Sequence, residues 1–318
     1  MTSSSTLRPR LRRHGLALAA LGVVLLSCVL GAWSFPELFV VPLSGPSDWE
    51  PVPIAGVQTE CSEVAGSVPF TLCVHRTAES SSRDLVIHLH GRRGNATWWN
   101  DREYYTGEVH AEWARVGTPA PVVVGVSFGP LWLLTDENVE EGSPALLDVF
   151  DQEVVPAIER AIGFEPRQRI VVGESMGAVN ALLLVLRRPG RVDRAAALCP
   201  PLSTGSPFVG FVETSALVAE SSTTWQRAFM LRGLGRHFFR SEAAWHRHNP
   251  VRLAAAARPE QTPSLYLLCG RRDDWGCMEG SLALVEAARG RNLALDWHPR
   301  DGGHCDVDVP SLARFLAR

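Results

Sequence analysis

Ser175, Asp273 and His304 follow one another along the chain as a nucleophile, an acid and a base, each in a setting suited to acyl transfer. A serine hydroxyl attacks a carbonyl once a histidine takes its proton, and a carboxylate holds that histidine in place and stabilises its charged form. Ser175 sits in Gly173-Glu174-Ser175-Met176-Gly177. That pentapeptide recurs by chance, so its flanks carry the argument. Before it, Arg169-Ile170-Val171-Val172 reads as a buried strand. After it, residues 178–186 read as a helix closed by Pro189-Gly190. A strand, a sharp turn and a helix lift the serine above the sheet edge and aim the helix N-terminus at the reacting carbonyl.

The developing oxyanion needs two backbone N–H donors. One belongs to the residue after the nucleophile, Met176. The other is expected from the loop that follows the strand Asp84-Leu85-Val86-Ile87-His88-Leu89, which enters His90-Gly91-Arg92 and points to Arg92. His90 reads as a residue that orders this loop, and His88 as a core histidine. The acid follows another apolar run, Leu265-Tyr266-Leu267-Leu268-Cys269-Gly270, with Asp273 and Asp274 both in the turn. Asp273 fits the Gly-x-x-Asp turn better. The base is His304, in the loop beyond residues 293–298. His298 is the alternative, but it lies in or at the end of that strand.

These residues resemble those of the α/β-hydrolases, and in particular the esterase D-type branch with its feruloyl and acetyl esterases, S-formylglutathione hydrolase and mycolyltransferases. The similarity runs from about Asp84 to Phe315. It rests on His90-Gly91, on the pentapeptide with Asn180-Ala181-Leu182 behind it, on Gly270-Arg271-Arg272-Asp273 and on Gly302-Gly303-His304. The resemblance implies a mostly parallel central sheet with helices on both faces. It also implies a Ser175–His304–Asp273 triad with the Arg92 and Met176 N–H groups as oxyanion hole. Two departures stand out. Ala178 replaces a customary glycine, and Arg92-Arg93 occupy a loop where relatives carry glycine or apolar residues.

The elements that must position this chemistry alternate strand-like and helix-like from Asp84 onward without an internal linker, as one α/β domain over 54–318 does. About sixty residues separate the strand ending near Cys199 from the one starting near Ser264, long for a single connection. The part from 203 to 249 is rich in aromatics, among them Phe208, Phe211, Trp225, Phe229, Phe238, Phe239 and Trp245. It is expected to cap the site, with at least half of these rings forming the cap's own core. Trp98, Trp99 and Trp275 lie near the oxyanion and acid loops and suit an apolar or aromatic acyl group, or a sugar face.

Residues 1–34 read differently. Arg8, Arg10, Arg12 and Arg13 precede an apolar run of about nineteen residues, 15–33, near the length that crosses a bilayer. Arginines on that side keep the N-terminus cytoplasmic and place the remainder outside. A cleaved signal, a retained anchor and a lipid on Cys28 all fit, and residues 35–53, proline-rich, read as a tether.

Cysteine usage agrees with export. Six cysteines follow the N-terminal segment. Cys61 and Cys73 lie in two adjoining strand-like runs, 56–63 and 67–76, and are expected to pair. A Cys277–Cys305 bond would join the acid and base loops, leaving Cys199 and Cys269 as core thiols. No Cys-x-x-Cys or His-Glu-x-x-His spacing points to a metal, no cofactor is expected, and His246-Arg247-His248 reads as a polar loop. The net charge of −3 and the absence of a basic tract in the domain give no nucleic-acid signal. The expected partner is therefore a small-molecule or polysaccharide-linked ester, with the membrane met through the N-terminal segment. The expected activity is ester hydrolysis through an acyl-enzyme. Acyl transfer to a sugar or lipid hydroxyl, and a non-catalytic envelope protein of the same fold, are the alternatives.

Overall fold

A computed structural model describes residues 22, 27, 31–78, 81–137 and 142–317. Eight strands form one sheet in the order β1-β2-β4-β3-β5-β6-β7-β8. They are β1 (Val57–Val64), β2 (Phe70–Thr77), β3 (Asp84–Leu89), β4 (Val122–Ser127), β5 (Gln168–Glu174), β6 (Arg194–Leu198), β7 (Ser264–Gly270) and β8 (Leu295–Arg300). The β1–β2 and β2–β4 pairs are antiparallel, and every pair from β4 to β8 is parallel. This is the mostly parallel α/β-hydrolase architecture expected from the resemblance.

The central strands read as unbroken apolar runs because helices cover both faces. Side chains alternate between two cores. Leu85, Ile87, Val124 and Val171 face one, and Val86, Val123, Ile170 and Val172 face the other. The first core is closed by α3 (Val155–Ile162) and α4 (Met176–Arg187), the second by α2 (Tyr105–Val116) and α10 (Val309–Leu316). Trp113 is buried between these last two, and its indole N–H donates to Ala313 O at 2.9 Å. Burying such a ring stabilises the fold by roughly 3 kcal/mol. The edge strand β1 exposes Glu60 and Glu63, which discourages pairing with another sheet.

The connection from β6 to β7 contains α5 (Phe211–Glu220), α6 (Trp225–Phe238), α7 (Glu242–His248) and α8 (Pro250–Ala256). Side chains of Thr224, Ser241 and Asn249 cap the last three by accepting backbone N–H bonds. This helical insertion is the cap. His246-Arg247-His248 is therefore helical rather than a loop. His248 is buried, bonded through Nδ1 to Ala244 O at 2.8 Å and through Nε2 to Asp136. A further helix on the sheet, α9 (Cys277–Gly290), follows the acid loop.

The stretch read as a tether carries the short helix α1 (Glu37–Val40) and a 3₁₀ turn, Val41–Ser44. Val40 is buried on α6, where Gly233 leaves it room, and Arg236 approaches Glu37 at 3.6 Å. A four-residue helix has too little periodicity to be read from sequence. The apolar run 15–33 and Cys28 lie largely outside the described residues, among which no helix is long and apolar enough to cross a membrane.

Candidate active site

All the loops that carry the expected chemistry leave the sheet at the C-terminal ends of parallel strands, where α/β folds gather their ligands. Ser175 lies between β5 and α4 with φ 53° and ψ −114°. That conformation costs on the order of 1–3 kcal/mol for a residue with a side chain. The flanking glycines make the turn possible. A Cβ at Gly173 would run into the Gly177 backbone, and one at Gly177 into the Leu89 carbonyl. The Ser175 N–H donates to Leu198 O at 2.9 Å, pinning the turn to the neighbouring strand β6.

His304 Nε2 is 3.1 Å from Ser175 Oγ, and its Nδ1 is 2.7 Å from Asp273 Oδ2. Asp273 is fully buried and its other oxygen accepts the Trp275 N–H at 2.8 Å. Asp274 turns away, half exposed, towards Arg227. Acid and base loops meet closely because Gly270 has no Cβ, which would strike the carbonyls of Gly302 and Gly303. His298 lies within β8, stacked on Tyr266 and 3.0 Å from Asp296, far from this arrangement in its bonding. The structure thus brings Ser175, Asp273 and His304 together, and brings in neither Asp274 nor His298.

Arg92 and Met176 both line the cavity beside Ser175. Met176 opens α4, so its N–H has no acceptor inside the helix. The Arg92 side chain, half-buried, donates through one guanidinium nitrogen to Leu43 O and Ser44 Oγ, both at 3.2 Å. Burial pushes its pKa down, aided by Arg93 and Arg227. Arg93 reaches Gly45 O at 3.2 Å, and its carbonyl accepts the Ser47 N–H at 2.9 Å. The two arginines that depart from the family pattern therefore clasp the N-terminal segment to this loop.

His90 orders the loop, as expected. Its Nδ1 lies 2.7 Å from Gly91 O, and its Nε2 is 2.8 Å from Ser127 Oγ and accepts the Trp132 indole N–H at 3.2 Å. Burial lowers its pKa to about 4, which keeps the ring neutral for these bonds. His88 is the core histidine expected, fully buried with Nε2 2.9 Å from Glu174 Oε2.

Glu174 was invisible as a functional residue, because the second position of G-x-S-x-G accepts many side chains. It is almost wholly buried. Its Oε1 accepts the Gly91 N–H at 2.9 Å, and its Oε2 accepts the Tyr105 hydroxyl at 3.0 Å. Burial alone would raise its pKa, but His88, the Gly91 N–H and His90 outweigh that and hold it below the ordinary value.

The cysteines pair in part as expected. Cys61 and Cys73 face each other across β1 and β2 and are bonded. The bond expected between Cys277 and Cys305 is absent. Cys305 is joined instead to Cys199, against the expectation that Cys199 is a core thiol. Cys199 leaves the end of β6, adjacent to the base loop, whereas Cys277 opens α9 and turns inward beneath Asp273. Cys269 and Cys277 are free and buried. Burial, with Cys269 and Asp273 alongside, pushes the Cys277 thiol up. Among the described residues, two clusters bring three donor groups together, Cys199–His304–Cys305 and Asp273–Cys277–His304. In the first the two sulfurs are joined to each other, and in the second His304 Nδ1 and Asp273 Oδ2 are bonded to each other at 2.7 Å.

The cavity beside Ser175 has a volume of about 480 Å³ and lies between the sheet and the cap. Leu133, Leu202, Leu231, Phe238 and Trp245 make it mostly apolar, with Trp98 and Trp275 also in its wall and the Trp275 ring 5.7 Å from that of His304. Trp99 is instead in the core, donating to His110 Nε2 at 2.9 Å.

The family model described as "Putative esterase" matches residues 71–311. No curated protein matches by sequence. Among solved structures, a ferulic acid esterase is 14% identical with a TM-score of 0.60, covering 82% of this chain and 98% of its own. Brefeldin A esterase, a bacterial homologue of human hormone sensitive lipase, is 19% identical with a TM-score of 0.57, covering 92% and 85%. An S-formylglutathione hydrolase from Agrobacterium tumefaciens is 16% identical with a TM-score of 0.57, covering 86% and 98%. At these identities the likeness shows the fold.

Proposed function

The chain belongs to the esterase family and is a carboxylic ester hydrolase, and from that premise we propose that it works through an acyl-enzyme on Ser175 outside the cytoplasm. The observation that carries this reading is the bonded series Ser175–His304–Asp273 opening into an apolar cavity. His304 Nε2 takes the Ser175 proton as Oγ attacks the ester carbonyl. Asp273 fixes the tautomer with the proton on Nδ1 and stabilises the imidazolium. The carbonyl oxygen, now negative, accepts from the backbone N–H groups of Arg92 and Met176, and the positive end of α4 points at it. Collapse of the tetrahedral intermediate breaks the ester C–O bond, and His304 gives its proton to the departing alkoxide. Water, deprotonated by the same histidine, then releases the acid and restores Ser175.

The volume and apolar lining of the cavity favour an ester with a bulky apolar or aromatic group. The basic and then apolar N-terminus, together with two disulfides, supports export and a membrane anchor. The test is a fluorophosphonate, which should add once per chain at Ser175 and not at all in Ser175→Ala. Labelling that survives this substitution overturns the assignment. An ester panel run with and without alcohol acceptors then measures partition between hydrolysis and transfer.

A further inference from the structure

Single exposed apolar side chains are ordinary, but a contiguous group of them marks a surface that meets something. The described residues hold one such group. Phe35, Leu38 and Phe39 project from the N-terminal segment, and Phe211, Val212 and Trp225 from the first turns of α5 and α6. Val212 is 76% exposed and Leu38 68%. The two parts are joined at Trp33. The Trp33 ring lies 5.3 Å from that of Phe211, edge to face, and Phe211 stacks on Trp225 at 5.4 Å. Arg232 of α6 sits over Trp33 at 4.8 Å, and Val40 is buried against the same helix.

The helix α5 shows why this is no accident of packing. A cap helix in water is expected to turn polar residues outward. Here Leu217 lines the cavity while Phe211 and Val212 face out.

The chain itself says what meets this surface. The apolar run 15–33, preceded by four arginines, ends on Trp33, and Trp33 is the ring that touches Phe211. Phe39 lies six residues further, no more than ~20 Å even if fully extended. Tryptophan and other aromatics favour the level where hydrocarbon meets water. Whatever level the end of that run occupies, the apolar face of the cap occupies too.

We infer that the surface formed by residues 35–39 and the starts of α5 and α6 lies on a lipid bilayer, and that the cavity beneath it takes esters borne by membrane lipids. This rests on the anchored-esterase reading above. It adds that the cap is the docking face, and that substrate passes from the bilayer to Ser175 without crossing water.

The test uses the full chain reconstituted in vesicles of phosphatidylcholine and phosphatidylglycerol, with an environment-sensitive fluorophore on Val212→Cys. Quenching by brominated lipid and shielding from iodide is the expected result. Quenching by iodide overturns the inference. So does shielding from both, because the surface is then covered by the chain's own N-terminal run or by a second copy. In parallel, the double variant Phe211→Ser/Val212→Ser should hydrolyse a long-chain ester embedded in the vesicles at least about tenfold more slowly. Its kcat/KM on a soluble short-chain ester should stay within about twofold of the parent. Equal rates on the embedded ester overturn the inference. If the fluorophosphonate fails to label Ser175, the Ser175 reading falls, while the two quenchers still decide where the surface lies.

Discussion

Cys199 and Cys305 are joined across 106 residues, and each stands next to a residue of the site. Cys199 follows Leu198, whose carbonyl accepts the Ser175 N–H, and Cys305 follows His304. Both cysteines have positive φ, 47° and 58°, an unfavoured conformation for residues with a Cβ. The bond therefore ties the base loop to the strand that holds the nucleophile turn.

Replacing Cys305 by Ser should cost about 4 kcal/mol of stability, as release of so long a loop implies. It should also lower kcat on a soluble ester by about tenfold at a temperature where the fold is intact, since triad geometry must hold to about half an ångström. Cys61→Ser, which opens a bond spanning 12 residues between β1 and β2, should lower stability and leave kcat alone. Denaturant titration alongside steady-state kinetics separates the two effects. Unchanged kcat in Cys305→Ser would refute a positioning role.

The roles proposed for the acid and the base predict unequal losses. Ser175→Ala and His304→Ala should each reduce kcat by about 10⁴- to 10⁶-fold, and Asp273→Asn by less. Asp274→Asn should stay near the parent, because its carboxylate meets Arg227 and not His304. Kinetics on a p-nitrophenyl ester decide this. A crippled Asp274→Asn beside a near-normal Asp273→Asn would reverse the assignment of the acid.

Much of the fold and the candidate site could be read before the structure, for physical reasons. Strands β3, β5 and β7 are buried on both faces, so their composition alone marks them, and the glycines around Ser175 announce a turn that no side chain fits. The order of Ser175, Asp273 and His304 follows from loops that leave the parallel strands β5, β7 and β8 in chain order. What was not legible depends on distance in space. Cys199 and Cys305 are neighbours only because β6 lies inside the sheet, between β5 and β7. Cys277, closer to Cys305 in sequence, opens a helix that turns its thiol under Asp273. Glu174 carries no local signal, since its partners Gly91, Tyr105 and His88 come from other elements. The docking of 35–47 on Arg92, Arg93 and α6 lacks the periodicity that would have announced it.

Arg92 offers two separable contributions, a backbone N–H towards the oxyanion and a guanidinium towards Leu43 and Ser44. Arg92→Ala keeps the first and removes the second. Its kcat on a soluble ester should remain within about threefold, whereas limited proteolysis near residues 41–47 should accelerate. Two lost hydrogen bonds of about 1 kcal/mol each are enough to loosen that segment. A loss approaching the hundredfold or more typical of a missing oxyanion donor would mean that the side chain itself acts on the substrate.

Stability should fall on mild acidification. Burial lowers the pKa values of His75, His90 and His110 from 6.5 to about 4 each. The unfolded chain binds protons there first, so the stabilisation is complete above pH 6.5 and is lost as pH falls towards 4. Each histidine should cost about 2 kcal/mol by pH 5. His110 Nε2 accepts the Trp99 indole N–H, which protonation would forbid. Urea unfolding at pH 7.5 and pH 5 measures the slope, and His110→Gln should reduce it by about a third. A flat profile would show that the three rings titrate normally.

Glu174 links the two halves of the proposed oxyanion site. It precedes Ser175 in the elbow, and its Oε1 holds the N–H of Gly91, the residue before Arg92. Its Oε2 takes the Tyr105 hydroxyl and the His88 ring. Glu174→Gln keeps an acceptor for Gly91 but turns an amide N–H₂ towards two groups that now donate. A buried network broken in this way should cost about 3 kcal/mol of stability. The loop carrying Arg92 should then sit less accurately, lowering kcat by about 10- to 100-fold with KM little changed, as expected for an interaction realised in the transition state. Tyr105→Phe, which leaves the Gly91 and His88 bonds in place, should lose about 1 kcal/mol and little activity. The decisive comparison is kcat against KM for the two variants at a temperature where both are folded. Equal kcat in Glu174→Gln and the parent would confine Glu174 to stability and leave the Arg92 N–H held by other contacts.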